Sequence, residues 1–235
     1  MGITGYRAWT TAAIYAQFGH HEQASQGYRQ ALDSFCQAGD ILTMGRIFNR
    51  LGGVYRQLGE TRKTQQLCTA AVRTACYFDN DRESMPALAN VAMSYHYQGR
   101  PHVALRLLKQ VAETCRLDGD LVNEALALID MALVYTSLKH YLFALALYRA
   151  AVEVLQTAME QRSAPTDFLP HSMAVCLTCM GQICTLTGHS ATAAHYYREA
   201  LVYLRQLGCL EALCVVGQQL APASAPVEQS LLCVA

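Results

Sequence analysis

Three cysteines and two histidines lie close together in the last third of the chain, and both residue types bind zinc. They are Cys176, Cys179, Cys184, His189 and His195. Structural zinc sites usually bring two ligand pairs together from turns, whereas these three cysteines lie along one predicted helix. A Cys-x2-Cys redox pair would follow a strand, and the pattern before Cys176 does not predict one. We therefore expect packed free thiols here, with no bound metal and no cofactor.

Histidine, serine and cysteine also serve as catalytic bases and nucleophiles, and the chain contains 8 His and 10 Cys. The sequence has no His-Glu-x-x-His arrangement and no serine or cysteine in a Gly-flanked elbow. Gly52-Gly53 falls inside a predicted helix, where it indicates close packing rather than a phosphate-binding loop. We therefore predict no catalytic residue and no enzymatic activity, although a triad assembled from distant residues is left open.

The composition predicts a folded chain with a sizeable core, since 52% of the 235 residues are hydrophobic and 15% are charged. Lys plus Arg equals Asp plus Glu at 18 each, and no basic run is present, which argues against a nucleic-acid partner. The apolar segment from Leu126 to Leu138 is broken by Asp130, and the run from Phe168 to Tyr197 is broken by Pro170, so we expect no membrane insertion. The start of the chain lacks a secretory pattern, and most cysteines fall in apolar helical patterns. We expect a cytoplasmic protein.

The chain has an internal repeat, which shows first in its tyrosines. Tyr15, Tyr55, Tyr95 and Tyr135 lie 40 residues apart. Three places before the tyrosines stand the small residues Ala12, Gly52, Ala92 and Ala132. Four places after the first three tyrosines stand Gly19, Gly59 and Gly99. Nine places after the tyrosines stand Ala24, Thr64, Ala104 and Ala144. A fifth copy carries Cys184 in the tyrosine position, and its nine extra residues fall near Gln161 to Pro170, where we expect a loop.

Each repeat is predicted to be a pair of helices, because apolar residues recur at helical spacing on both sides of a short break. The glycines lie where the first helix ends, and glycine readily adopts the left-handed conformation that closes a helix. Asp40, Asn80 and Asp120 are again 40 residues apart, and each is expected to cap the following helix. Pro101 falls in the first turn of a second helix, where its missing N–H does no harm.

The residue pattern of these units resembles the tetratricopeptide repeat. Two units carry it most fully, with Phe48, Leu51, Gly52, Tyr55, Gly59 and Ala71 in one, and Leu128, Met131, Ala132, Tyr135, Ala144, Tyr148 and Ala151 in the other. That repeat is about 34 residues long, and the 40-residue form is similar to the repeats of Gα-binding polarity adaptors, rapsyn and kinesin light chain. The resemblance implies an all-α, right-handed solenoid of about five helix hairpins in residues 1–208. A capping helix in 209–221 and a disordered tail in 222–235 are expected to follow.

The same resemblance implies that the first helices of successive units line a concave groove that binds a protein or peptide segment. The positions expected to face this groove include Arg46, Arg50, Asn90 and Asp130, with Met93 and Tyr97 one turn further along. Arginine can hold a carboxylate through two hydrogen bonds, and asparagine can pair with a peptide backbone. We therefore hypothesise a protein-interaction scaffold or adaptor, and the alternative is that these residues are solvated surface groups.

A second hypothesis is a regulatory or self-association arm of a larger scaffold protein, with the groove filled by its own chain. Trp9, the one tryptophan, lies on the first helix of the first unit. It is expected to act as an interface anchor or as the contact to a missing preceding repeat, which would allow homo-oligomers through the N-terminal repeat.

Overall fold

The computed structural model describes residues 2–75, 81–161 and 168–220. These residues form eleven helices and no strand. The helices are α1 (Gly2–Gln17), α2 (His21–Ala38), α3 (Ile41–Gln57), α4 (Thr61–Ala75), α5 (Asp81–Tyr97), α6 (Pro101–Asp118), α7 (Leu121–Ser137), α8 (Tyr141–Glu160), α9 (Phe168–Leu186), α10 (Ser190–Leu207) and α11 (Leu210–Gln218). Asn80, residues 162–167 of the expected loop and the expected tail lie outside the described residues.

Consecutive helices pack as five hairpins, α1 with α2 through α9 with α10, and α11 packs on α10. We call the residue in the tyrosine position of each repeat its column residue. Each first helix ends in the same way, because the N–H of the residue five places after the column residue donates to the column residue's carbonyl at 2.8 to 2.9 Å. The acceptors are Tyr15, Tyr55, Tyr95, Tyr135 and Cys184. The column residues therefore occupy equivalent backbone positions, and the predicted helical solenoid is confirmed.

The predicted helix ends and caps are also found in the described residues. The four first-helix glycines, Gly19, Gly59, Gly99 and Gly188, have φ between 76° and 83°. The carboxylates of Asp40 and Asp120 accept from the N–H of Thr43 at 3.0 Å and of Asn123 at 3.1 Å, and Pro101 begins α6. Local sequence therefore determines where four of the first helices end and where α3, α6 and α7 begin.

The core lies between the two helices of each hairpin and between neighbouring hairpins, and Tyr148, Leu155 and Tyr197 are among its largest side chains. The close packing expected at Gly52-Gly53 is found at Gly53, where an added Cβ would lie 2.6 Å from the ring of Tyr97. The expected loop ends earlier than the sequence suggested, since Pro170 lies in the first turn of α9, where a proline costs no helix hydrogen bond.

The first hairpin packs against the last one. Helix α1 contacts α9, α10 and α11. Thr10 Oγ1 is 2.7 Å from His171 Nδ1, the Gln182 amide donates to the carbonyl of Gln17 at 2.6 Å, and the Tyr15 hydroxyl donates to Glu211 at 3.1 Å. The solenoid is thus closed on itself, and its concave side faces an interior rather than an open groove.

This closure changes the interpretation of Trp9. The indole is 5% exposed and packs on the ring of His171 at 4.3 Å between centroids and on Phe35 at 6.0 Å. Trp9 is therefore not an exposed anchor, because the fifth hairpin of the same chain covers it. Homo-oligomerisation through the N-terminal repeat stays a prediction.

Two of the described helices, α8 and α9, are long and apolar enough to cross a membrane by length and composition alone. Of the apolar window in α9, 72% is buried inside the structure, as in the core helix of a folded domain, whereas 28% is buried in α8. The prediction that the chain does not insert into a membrane stays a prediction.

Candidate functional site

The interior is formed by the first helices of the hairpins, α1, α3, α5, α7 and α9, and it contains a buried ion pair. A guanidinium nitrogen of Arg50 on α3 lies 2.5 Å from Asp130 Oδ1 on α7. The Asp130 side chain is 7% exposed and that of Arg50 21%. The pair joins the second hairpin to the fourth, 80 residues apart in sequence. It therefore spans the interior instead of facing solvent.

A second arginine, Arg46, lies one turn before Arg50 and donates to the Asn123 side chain at 3.4 Å. Burial opposes the charge of both arginines. In Arg50 burial is the largest single influence and lowers the pKa, but Asp130, Tyr97 and Tyr28 together outweigh it, so the pKa is raised. In Arg46 burial dominates and lowers the pKa. Arginine stays protonated at neutral pH in either case, so the interior holds two cations near one carboxylate.

A hydrogen-bond network links α3 to α5 beside this pair. The Asn49 amide donates to the carbonyl of Asn90 at 2.7 Å, and the Ser94 hydroxyl donates to Asn49 Oδ1 at 2.8 Å. The Asn90 amide donates in turn to the carbonyl of Leu42 at 3.3 Å. Asn90 is 3% exposed, and its amide helps to hold α3 and α5 together.

Two cavities adjoin the ion pair. The smaller, about 40 Å³, is lined by Arg46, Asn90, Met93, Asp130 and residues of α1 and α9. The larger, about 270 Å³, lies toward the ends of the first helices and is lined by Arg50, Arg56, Tyr97 and others. Arg50 lines both cavities. Among the lining residues of the two, three are arginines and only Asp130 is a carboxylate, so the lining carries excess positive charge.

Some buried polar atoms at the cavities have no hydrogen-bond partner among the described residues. They include Nδ1 of His96 and of His21 in the larger cavity and Oγ of Ser172 in the smaller. Burial, aided by Arg56 and Arg50, lowers the pKa of His96 to about 4, so its ring is neutral at pH 7. An unpaired buried polar group costs roughly 1 to 3 kcal/mol, and a bound ligand or water would recover part of that cost.

The thiols of α9 are packed as the sequence predicts. Cys176, Cys179 and Cys184 are buried, and burial raises the pKa of each. The Cys179 thiol also contacts Gln17 Oε1 at 2.9 Å. Within the part of the chain that the structure describes, no three His, Cys, Asp or Glu side chains converge as a metal site. These cysteines are protonated packing residues at neutral pH.

The structure therefore brings the predicted groove residues together, with four of them buried and Arg46 and Arg50 half-buried. Arg46, Arg50, Asn90, Met93 and Asp130 line the smaller cavity, and Tyr97 lines the larger. Met93 is 3% exposed and Tyr97 8% exposed, and both belong to a core cluster formed with residues of α4, α6 and α7. Their role in binding a segment stays a prediction.

Four further polar residues line the cavities but were not expected there from the sequence, namely Asn49, Arg56, His171 and Ser172. Asn49 and Arg56 lie off the two positions per unit that the repeat pattern marks as concave. His171 and Ser172 lie at the start of α9, next to the insertion that shifts the fifth register. Only the placement of α1 against α9 brings them to the interior.

Comparison with known proteins supports the repeat assignment. Residues 83–157, from α5 into α8, match the family described as tetratricopeptide repeat. No curated protein matches this chain in sequence. Similar solved structures include BtubC (BKLC) from P. vanneervenii, at 15% identity and a TM-score of 0.51 over 89% of this chain and 84% of that one.

The apo form of RapI is similar at 14% identity and a TM-score of 0.53, covering 97% of this chain and 80% of that one. A Rap protein complexed with Competence and Sporulation Factor is similar at 13% identity and a TM-score of 0.50, covering 92% and 63%. At these identities the similarity shows the fold alone. Repeats of the tetratricopeptide type are supported, whereas the closer relation to polarity adaptors, rapsyn and kinesin light chain stays a prediction.

Proposed function

We propose that the protein is an interaction scaffold that binds a short acidic group of a partner protein segment in the larger interior cavity. Tetratricopeptide repeats support protein–protein interaction as the general function of the chain, and this fold is generally a non-catalytic module. The observation that carries the finer proposal is the lining of the two cavities, with Arg46, Arg50 and Arg56 against Asp130 alone. A carboxylate would balance this charge and form charge-assisted hydrogen bonds.

The size of the cavity limits what can enter. Ligand pockets in proteins usually measure about 300 to 1,000 Å³, so a cavity of about 270 Å³ admits one or two side chains or a chain end, but not an extended segment. Gln57 and Ser137 line the cavity and are exposed, so it is open to solvent beside them. The remainder of a bound segment would lie across that opening.

Arg56 is the arginine best placed for a ligand. It lies in the last turn of α3, and its guanidinium lies over the ring of Tyr97 at 5.7 Å from the centroid. No ion pair is found for Arg56 among the described residues. Stacking on an aromatic ring orients a guanidinium without using its hydrogen-bond donors, so they remain available to a carboxylate.

The experiment is affinity capture from cell lysate followed by mass spectrometry, with wild type, Arg56→Gln and Arg62→Gln compared. Arg62 is exposed on α4, away from the interior, and controls for the loss of one positive charge. We expect the same partners with wild type and Arg62→Gln, and their loss with Arg56→Gln. Capture of the same partners by Arg56→Gln would show that the interior is not the binding site.

The second candidate function, a self-association or regulatory arm, is favoured by the closure itself, since Arg50 and Asp130 already satisfy each other across the interior. Light scattering after size exclusion separates the two functions. Concentration-dependent self-association without capture of any partner would favour the arm, and a monomer that captures partners favours the scaffold. A cytoplasmic location is likewise proposed, with the buried free thiols as support.

A further inference from the structure

An outer groove lies between the turn that joins α7 to α8 and the turn that joins α9 to α10, on a different part of the molecule from the interior cavities. It measures about 580 Å³ and is lined by Lys139, Tyr141, Leu142, Phe143, Arg149 and His189, among others. Leu142 is 84% exposed and Phe143 64% exposed. We call it the α8 groove. Two large apolar side chains side by side on its wall are in contact with water.

The other repeats show that the fold does not require apolar residues here. The place of Leu142, seven residues after the column residue, is taken elsewhere by Glu22, Arg62, His102 and Ala191, and that of Phe143 by Gln23, Lys63, Val103 and Thr192. No other unit has two large apolar residues at these positions. The ring of Phe143 stacks on the ring of Tyr135 at 5.6 Å between centroids, so packing within the chain accounts for an aromatic residue at this position. No comparable contact accounts for a leucine at position 142, which is 84% exposed.

Lys139 is a second unusual feature of the same wall. It has φ of 62°, the left-handed conformation, at the position where the other four hairpins have glycine. A side chain at such a position is disfavoured by contact with its own carbonyl, so lysine costs stability that glycine would not. Non-glycine residues in strained conformations concentrate at functional sites. Here the strain places an ammonium group at the rim of the α8 groove.

The charges of the groove indicate the chemistry of its occupant. Lys139 and Arg149 line it, and no aspartate or glutamate is among its lining residues. An apolar surface alone would fit many partners. An apolar surface bordered by cations favours a segment that combines bulky apolar side chains with carboxylates.

We infer that the α8 groove is a docking surface for a segment of a partner protein that carries bulky apolar side chains flanked by Asp or Glu. Leu142 and Phe143 bury the apolar side chains of that segment, and Lys139 and Arg149 pair with its carboxylates. The surface is independent of the interior cavities, so the chain can bind one segment inside and another outside.

The test is selection from a random peptide display library on the immobilised full chain. Affinities of the enriched peptides are then measured by fluorescence anisotropy. We expect enriched sequences to combine Leu, Ile or Phe with Asp or Glu. We expect the double variant Leu142→Gln with Phe143→Gln to bind them at least about tenfold more weakly. Leu117→Gln is the matched control, since Leu117 is 83% exposed at the end of α6 and outside the groove.

A second variant separates binding from folding. Lys139→Gly should weaken binding in a salt-dependent manner while its urea midpoint is no lower than that of the wild type, because glycine relieves the left-handed strain. Arg56→Gln should leave this binding unchanged, so failure of the interior proposal would not affect it.

Several results would overturn the inference: enriched peptides that are basic or uncharged, equal affinity for the wild type and the double variant, or no saturable binding. Stronger binding to anionic lipid vesicles than to any peptide would do so too. Conversion of a dimer to a monomer by the double variant would assign the groove to a second copy of this chain instead.

Discussion

Asp130→Asn removes the negative charge of the buried ion pair and keeps nearly the same side-chain volume. It leaves Arg50 in the interior without a counter-ion, and Arg46 one turn away adds a second unbalanced cation. Breaking a buried pair usually costs about 3 to 5 kcal/mol. Because the Arg50 side chain is 21% exposed, water can screen it in part, and we expect a loss at the lower end, about 3 kcal/mol.

The measurement is the free energy of unfolding from urea titration followed by circular dichroism, with wild type and variant at the same pH. Glu113→Gln is the matched control, because Glu113 pairs with Lys109 at 3.7 Å on the surface, where the two side chains are 55% and 70% exposed. Exposed pairs contribute about 0 to 1 kcal/mol, so the control should change little.

A double replacement isolates the pair itself. Asp130→Leu combined with Arg50→Met removes both charges and fills the space, so we expect most of the stability of the wild type to return. If Asp130→Asn costs no more than Glu113→Gln, or if the double variant is less stable than Asp130→Asn, the ion pair is not a buried link across the interior.

Three further predictions follow from the packing. Gly53→Ala should destabilise the fold by about 1 to 3 kcal/mol, because the added Cβ would lie 2.6 Å from the ring of Tyr97. Gly52→Ala should be neutral or stabilising, because its added Cβ would have its nearest neighbour at 3.6 Å. Equal urea midpoints for the two variants would contradict this prediction. Burial lowers the pKa of His96 to about 4, so as the pH falls the unfolded chain binds a proton at this histidine before the folded chain does. The free energy of unfolding should be full above about pH 6.5 and fall by about 3 kcal/mol toward pH 4. Urea titrations at several pH values should show a smaller loss in His96→Phe. Lys139→Gly should raise the free energy of unfolding by about 0.5 to 1 kcal/mol, and a decrease would show that φ of 62° carries no strain.

The local features of this fold could be predicted because each depends on a few neighbouring residues. A glycine at the end of a first helix permits the left-handed residue that closes it, and Asp40 and Asp120 cap the helices that immediately follow them. A 40-residue period then repeats these ends, so the helix hairpins and the small residues between them are encoded several times over.

The closure of the solenoid could not be predicted in the same way. Each hairpin is rotated by a small angle relative to its neighbour, and only the sum of these angles brings α1 against α9 and α11. No single repeat encodes that sum. The six expected groove residues line the two cavities, and their role in binding a segment stays a prediction.

The sequence by itself therefore determined the repeat and the helix ends, since these follow from spacing and from backbone preferences within a few residues. Only the tertiary structure decided that Arg50 pairs with Asp130, that Trp9 lies beneath the fifth hairpin, and that two cavities adjoin the ion pair. The physical reason is distance along the chain, because side chains 80 or more residues apart meet through the accumulated geometry of every hairpin between them.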